Sequence, residues 1–393
     1  MSDKKYFPLL LATALLMLLC SCVVMPDPGA NMPDSGPIPV QGDTGPNPPQ
    51  YAALVATTDY SLTGGFGVIS LDTRQAYLPD PQFAADAVSP DPVAAAFGGY
   101  VFVINRFTYD NITVLDQRFK LVRQYSLPDT GCGFAVNPQD LAFVSESKAY
   151  LSRYECRGLW IINPLTGAFL GSIDLTAAGY GGPDGIPEMS GLLIHGSTLY
   201  VAVQNLDRRN WQPSAQSWLV MVNTTTDTLA GDVPLLGKNP STDVVYDPSL
   251  GRILVGDAGV VSAIGDGGIE AIDPATGTSE GFIIDETALG GNIGDFAIAS
   301  ATKGYATVTD ASFHSLLVAF DPGTGLRDPA PLYSAASGFT LWDLALNDRG
   351  ELYLCDRSAT APGIVIIDTS TDTLVTPSPI NLWLPPFSIV FLK

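Results

Sequence analysis

The chain has 393 residues, 46% of them apolar and 15% charged, and its formal net charge is −21. A chain this acidic lacks the Lys and Arg clusters that hold the phosphates of nucleic acids, so we expect no nucleic-acid partner. The apolar content, together with 39 Gly and 31 Pro, favours a large all-β repeat protein over a helical one.

The first 21 residues are predicted to be a signal peptide. Lys4 and Lys5 precede an apolar run over residues 7–19, which is shorter than the roughly 20 residues of a transmembrane helix and ends at a small-residue cleavage site before Cys22. The segment resembles a bacterial lipoprotein signal, and this resemblance implies acylation of Cys22 with a palmitate-type lipid. Val23, rather than Asp, then favours an outer-membrane location in the cell envelope, with the periplasmic or surface face left open.

Residues 22–50 follow as the acylated cysteine and a Pro-rich stretch without apolar periodicity. Such a stretch cannot bury enough surface to offset the entropy of ordering. We therefore expect a disordered tether between the membrane and the folded domain.

From Tyr51 onward the chain repeats. The clearest copy, over residues 137–175, has four short apolar runs separated by turn residues, which is the pattern of a four-stranded antiparallel meander. Seven such segments end a strand on Asp or Asn at spacings of 44, 47, 60, 50, 48 and 47 residues, the period of propeller blades. We predict that these seven side chains bond their own turns: Asp72, Asp116, Asn163, Asn223, Asp273, Asp321 and Asp368.

The strand count predicts how the ring closes. Seven segments have the pattern of a second strand, but only six have that of a first strand, and Pro386–Leu392 (PFSIVFL) matches the missing one. A C-terminal strand that completes the first blade leaves no open sheet edge. The prediction is therefore an all-β, seven-bladed β-propeller over residues 51–393, forming one domain and a monomer.

Three segments carry a family resemblance: VMVNTTTDTLAGDVPL, GIVIIDTSTDTLVTPSPI and STDVVYDPSLGRILVGDAG. They resemble the YVTN repeat of bacterial envelope propellers, in the group that includes YncE-like and amine-dehydrogenase-like propellers. The resemblance implies the fold but no shared catalytic residues, because this fold hosts many functions. The Trp expected after the turn in quinoprotein repeats is absent from INPLTGAFLGSIDL.

Loop lengths predict which face binds. Turns between first and second strands and between third and fourth strands are short, whereas the opposite rim carries LTAAGYGGPDGIPEMS, QNLDRRNWQPSAQSW, GDAGVVSAIGDGG and TDASFHS. Long loops on a rigid scaffold are where binding residues collect. We place the functional surface on this rim, at the mouth of the central channel.

The candidate binding residues at that mouth fall into two groups. Four acidic residues each open an innermost strand: Asp140, Asp243, Asp295 and Asp343. They could form a cation-attracting ring or accept hydrogen bonds from a ligand, or each could cap its own loop or bond the backbone of an adjacent blade. The second group supplies basic, aromatic and titratable side chains that could anchor a ligand or a protein: Arg106, Arg153, Tyr154, Arg208, Arg209, Trp211, His314 and Arg357.

No catalytic or metal-binding constellation emerges from the sequence. His195 and His314 fall on opposite rims, zinc ligands do not converge, and G-x-S-x-G, P-loop and dinucleotide motifs are missing. No cofactor and no metal site are predicted, although calcium bound through Asp and backbone carbonyls stays open. We predict a disulfide between Cys132 and Cys156 and a buried free thiol at Cys355.

Three functions remain compatible with these residues. The favoured one is a lipid-anchored binding protein whose channel mouth takes a small molecule or docks on an outer-membrane transporter or surface protein. The alternatives are a scaffold in an outer-membrane assembly and an enzyme of the lactonase or dehydrogenase kind. Whether the protein is an enzyme is left open, with the balance against it.

Overall fold

A computed structural model describes Pro49 and residues 51–107, 109–129, 131–182, 184–213, 216–260 and 263–392. The predicted signal peptide, the acylation of Cys22 and nearly all of the tether lie outside the described residues. No helix in these ranges is long and apolar enough to cross a membrane.

The described chain forms seven small antiparallel sheets arranged as a seven-bladed β-propeller, which confirms the predicted fold class. We number the blades in chain order and letter their strands A to D, from the channel outward. Blade 1 consists of Pro386–Leu392 (A), Ala52–Thr58 (B), Gly64–Ser70 (C) and Ala76–Tyr77 (D). Blades 2, 3 and 4 are Pro92–Phe97, Tyr100–Asn105, Asn111–Leu115 and Leu121–Ser126; Pro138–Ser145, Lys148–Arg153, Gly158–Ile162 and Phe169–Asp174; Met189–His195, Thr198–Val203, Trp218–Asn223 and Thr228–Pro234.

The remaining blades keep the same order, and the outer strands of blades 6 and 7 are two residues long. Blades 5, 6 and 7 are Pro240–Asp247, Arg252–Asp257, Gly268–Asp273 and Thr278–Asp285; Gly291–Ser300, Lys303–Asp310, Ser315–Asp321 and Leu326–Arg327; Leu341–Leu346, Glu351–Asp356, Gly363–Asp368 and Thr373–Leu374. Tyr333–Ala335 also pairs with strand C of blade 6, and Leu206–Asp207 pairs with Gln212–Pro213 in a small hairpin. Two short helices, Pro81–Ala87 and Glu286–Leu289, and a 3₁₀ turn, Thr176–Ala178, complete the elements.

The ring closes through the C-terminal strand, as predicted. Pro386–Leu392 lies innermost in blade 1 and pairs antiparallel with Ala52–Thr58, with Ala52 opposite Leu392 and Val55 opposite Ile389. This pairing buries the whole of strand B, because neither of its edges is left open. The first and last strands of the propeller are therefore held together in one sheet.

The core lies between blades. Strands B and C are almost fully buried, since each is covered by the neighbouring blade on both faces, while the outer strands alternate between buried and exposed. Side chains of two blades also bind the following blade. The Tyr150 hydroxyl and Lys148 Nζ of blade 3 donate hydrogen bonds to Asp227 of blade 4. Tyr305 and Lys303 of blade 6 donate to Asp372 of blade 7 in the same way.

Six of the seven predicted turn residues bond their own turns. Asp321, for example, accepts hydrogen bonds from the N–H groups of Gly323 and Thr324. The same pattern recurs at Asp116, Asn163, Asn223, Asp273 and Asp368. Asp72 differs, since it accepts from Arg349 Nη2 of blade 7.

Candidate functional site

The two rims of the propeller differ in their loops. We call the rim with the A–B and C–D turns the trimmed rim, because those turns span six residues or fewer, and the other the long-loop rim. Longer connections on the second rim are residues 78–91, 127–137, 175–188, 204–217, 258–267, 328–340 (which includes Tyr333–Ala335) and 375–385. The segment TDASFHS was wrongly counted among them: only residues 311–314 separate the strands there, and they form a tight turn on Asp310.

The trimmed rim is not featureless. A cavity at the seam of blades 7 and 1 is lined by Tyr51, Leu71, Asn347 and Arg349, among others. Its arginine is already engaged, because Arg349 donates to Asp72 Oδ1 and to the carbonyl of Leu71, each at 2.7 Å. The cation that faces this cavity is therefore neutralised within the protein.

The acidic residues of the inner strands occupy one repeated position around the channel. We call the set the channel ring: Ser388, Val93, Asp140, Gly191, Asp243, Asp295 and Asp343, from blade 1 to blade 7. In every blade except blade 2 the register of strand A shifts here, which is the signature of a β-bulge. A bulge leaves a backbone group without a partner in its own sheet.

Four members of the channel ring supply that partner to the following blade. Asp140, Asp295 and Asp343 accept hydrogen bonds from the N–H groups of Leu192, Leu344 and Ile389 at 2.7–2.8 Å. Ser388 accepts in the same way from Ala94 at 3.2 Å. These side chains fasten neighbouring blades, which is the local role that the sequence left open for them.

Burial and mutual repulsion change the acidity of the ring. Burial raises the pKa of Asp140 to about 6, and burial together with the Asp243 charge raises that of Asp343 to about 8. The pKa of Asp295 is raised well above its usual range by burial and by its two acidic neighbours. Solvent reaches the Asp243 side chain through the channel. The protein around it still removes much of its hydration, and this desolvation raises its pKa to about 6.

Most of the predicted arginines are neutralised by internal carboxylates. Arg106 pairs with Asp91 and donates to Gln139, and Arg153 pairs with Asp129 and donates to the carbonyl of Gly158. Arg208 bridges Glu155 and Glu188, and Arg209 pairs with Asp207 although its own side chain is 89% exposed.

The other predicted mouth residues also have local partners. The Tyr154 hydroxyl donates to Gln204 Oε1 at 2.7 Å, Trp211 lies under the Arg208 guanidinium, and His314 Nδ1 lies 3.4 Å from Asp310 Oδ2. The structure therefore divides these side chains among separate local contacts around the rim.

Arg357 is the exception. Its guanidinium carbon lies 4.1 Å from the ring centre of Tyr60, 4.6 Å from that of Trp342 and 5.5 Å from that of Phe387, three residues that we call the aromatic box. No Asp or Glu among the described residues forms an ion pair with Arg357, and its Nε is buried without an acceptor. Burial raises the pKa of the Tyr60 hydroxyl, which therefore stays neutral beside the cation.

The aromatic box was missed in the sequence. Trp342 and Phe387 directly precede the ring residues Asp343 and Ser388, and this position is aromatic only in the adjacent blades 7 and 1. Comparing this position across the seven blades would have revealed the pair. The Phe387 ring also lies 5.5 Å from Arg106, so two guanidinium groups share it.

Cys132 and Cys156 are joined by a disulfide in the structure, on the long-loop rim of blade 3, and the Cys355 thiol is free and buried in strand B of blade 7. The bridge links the loop that enters blade 3 to the loop that follows its strand B. It lies next to Arg153, whose Nη1 contacts Cys132 Sγ at 3.4 Å.

Blade 5 holds three fully buried carboxyl groups that the sequence did not single out: Asp257, Glu270 and Glu286. Neither oxygen of Asp257 has a donor among the described residues, and burial with the neighbouring Glu270 raises its pKa well above the usual range. Asp257 can then be accommodated as a neutral acid that donates to Glu270. No three His, Cys, Asp or Glu side chains in the described ranges are arranged to hold a metal ion.

No protein-family model matches this chain, and no curated protein matches it in sequence. Solved structures do match. A candidate 6-phosphogluconolactonase from Bacteroides fragilis has a TM-score of 0.61 at 14% identity and covers 87% of this chain and 98% of its own. A protein from Lactobacillus plantarum has a TM-score of 0.59 at 12% identity, covering 87% and 99%.

A third structure, the dihydro-heme d1 dehydrogenase NirN, has a TM-score of 0.55 at 14% identity and covers 90% of this chain and 77% of its own. At these identities the similarity shows the fold and nothing finer. The match over most of this chain agrees with a seven-bladed β-propeller.

Proposed function

We propose that this protein is a lipid-anchored binding protein of the bacterial cell envelope that takes its ligand or protein partner at the long-loop rim. The observation that supports it most directly is Arg357, a partly buried cation at the channel mouth that has no carboxylate partner among the described residues. A buried charge is retained at a cost unless something pairs with it, and a ligand would supply the missing partner.

The surface around the mouth agrees with a binding role. Large apolar side chains are exposed along this rim, in its loops or near the start of strand A: Tyr60, Leu62, Tyr109, Phe134, Leu236, Ile264, Phe313, Trp342 and Trp383. Exposed aromatic residues around a polar centre are typical of binding surfaces.

The proposed membrane location can be tested independently of the binding role. We propose acylation at Cys22 and retention at the outer membrane by the lipid, with residues 23–50 as the tether. A Cys22→Ser variant should lose palmitate incorporation and appear in the soluble fraction, while its folded domain keeps the wild-type melting temperature. Membrane retention of this variant would contradict the lipid anchor.

The binding role is tested with the soluble domain, residues 51–393, in a thermal-shift screen of metals, siderophores, sugars and lactones, followed by hydrogen exchange on any stabilising compound. Protection should concentrate on the long-loop rim. Protection confined to the cavity beside Tyr51 and Arg349 would place binding on the wrong face. Turnover of a lactone would transfer the assignment to the enzyme alternative.

A further inference from the structure

The charge of Arg357 sets it apart from the other predicted arginines of the mouth. Each of the other predicted mouth arginines, Arg106, Arg153, Arg208 and Arg209, already pairs with a carboxylate of its own chain. Among the described residues, the contacts of the Arg357 guanidinium are with neutral groups: the Trp342 indole, the Phe387 phenyl ring, Tyr60 and the buried thiol of Cys355. Burial lowers the pKa of its guanidinium, so the cation is held there at a cost.

We propose that Arg357 and the aromatic box bind the carboxylate group of a small organic acid with an apolar or aromatic body. This proposal rests on the binding role proposed above and specifies its ligand. A guanidinium presents a planar fork that matches a carboxylate in a bidentate geometry. The body of the acid would lie against Tyr60 and Trp342, each of which is 37% exposed.

The charge of the site favours a monocarboxylate over a phosphate. One unpaired cation can neutralise one negative charge, and the rest of the protein is strongly acidic, so a dianion would be repelled. The walls of the box are rings, which cannot replace the hydration of an anion, so burial there costs more for a phosphate dianion than for a monocarboxylate. Arg106 also lies 5.5 Å from the centre of the Phe387 ring, but Asp91 already neutralises it.

The structure also gives the site a fixed position. Trp342 and Phe387 begin the inner strands of blades 7 and 1, and Arg357 directly follows strand B of blade 7, with its N–H bonded to the carbonyl of Thr340 at 2.9 Å. Groups on strand ends are held more firmly than groups on long loops, which suits recognition of one functional group.

The test uses benzoate, indole-3-acetate and 3-phenylpropionate as probes, with benzamide as the neutral analogue of benzoate and phenyl phosphate as the dianionic one. Binding to the soluble domain is followed by calorimetry and by the indole N–H signal of Trp342 in heteronuclear NMR. We expect at least one carboxylate probe to bind, benzamide and phenyl phosphate to bind at least about tenfold more weakly, and the Trp342 signal to shift.

Two variants assign that binding to the site. Arg357→Gln should weaken binding of the carboxylate probe at least about tenfold, since a hydrogen bond to a charged group contributes at least that factor in affinity. Arg252→Gln, on the trimmed rim and paired with Glu280, should bind as the wild type does. Equal binding by both variants, or no binding of any carboxylate at 20 mM (roughly the weak limit of a useful site), would overturn the proposal.

Failure of this proposal is separable from failure of the binding role. If the compound screen finds a ligand that protects the long-loop rim while Arg357→Gln leaves its affinity unchanged, the rim binds but its ligand is not an organic acid held by Arg357. If neither experiment finds protection on that rim, both proposals fail together.

Discussion

Asp343 lies in strand A of blade 7 and Arg357 directly follows strand B, yet the two charged groups differ in whether the protein supplies them with a partner. Asp343 accepts the Ile389 N–H of the next blade, and the same position fastens blades through Asp140 and Asp295. Arg357 lies at the same end of the blade among rings, without an anionic partner in the described chain. A polar group that is satisfied by the next blade serves the architecture, whereas a cation left unpaired among rings is a candidate for a ligand contact.

The largest effect is expected from removing the strand that contributes to both regions. Deleting residues 386–393 removes Ser388 from the channel ring and Phe387 from the aromatic box, and exposes strand B of blade 1, whose Ala53, Leu54 and Val55 are fully buried. The loss should exceed the roughly 5–15 kcal/mol that holds a typical domain folded. We expect no cooperative melting by calorimetry and strong binding of a hydrophobic dye.

The matched control for this deletion lacks Lys393 alone and should melt as the full domain does. A truncated chain that still melts cooperatively would show that the propeller does not depend on closure through its C-terminus.

Two substitutions test whether a channel-ring residue stabilises the propeller through its hydrogen bond to the next blade or only by lying in the ring. Asp295→Ala leaves the N–H groups of Phe296 and Leu344 without acceptors in a buried place, which should lower the free energy of unfolding by about 2–3 kcal/mol in urea denaturation at pH 6. Asp243→Ala is the control, because no hydrogen bond to Asp243 from the next blade is found among the described residues. Its change should stay within about 0.5 kcal/mol. Equal losses would refute the fastening role.

Much of the fold was predictable because repetition makes weak signals add. The turn residues and the strand patterns recur seven times, so the missing first strand could be matched to Pro386–Leu392. The roles of the mouth residues were not predictable, because Arg153 and Arg357 look alike in sequence and differ only in what folding brings beside them. Asp129 lies 24 residues before Arg153, whereas Tyr60 lies nearly 300 residues before Arg357.

The pH dependence of stability sharpens the contrast further. The folded-state pKa of Asp343 is raised to about 8 and that of Glu286 to about 7, by burial in both cases. A raised carboxyl pKa means that the folded state binds more protons than the unfolded state between about pH 4 and pH 8, so stability falls as the pH rises through that window. We expect the melting temperature to be higher at pH 5 than at pH 9.

The Asp343→Asn variant tests that origin. Asparagine keeps an oxygen for the Ile389 N–H but cannot ionise, so this variant should lose less stability between pH 5 and pH 9 than the wild type does, by on the order of 2 kcal/mol. Identical pH profiles for the two proteins would show that Asp343 does not titrate in this window.

The smallest effect on stability is expected from removing a charged side chain that has no ion-pair partner. Arg153→Met removes the counter-ion of Asp129 and a donor to the Gly158 carbonyl, and should cost about 2–3 kcal/mol of unfolding free energy. Arg357→Met removes a desolvated cation and strands no carboxylate, while the methionine can still pack against Tyr60, Trp342 and Phe387. We expect its stability in urea denaturation to stay within about 1 kcal/mol of the wild type. A loss as large as that of Arg153→Met would make Arg357 a structural residue, because the protein would then depend on its charge in the absence of any ligand.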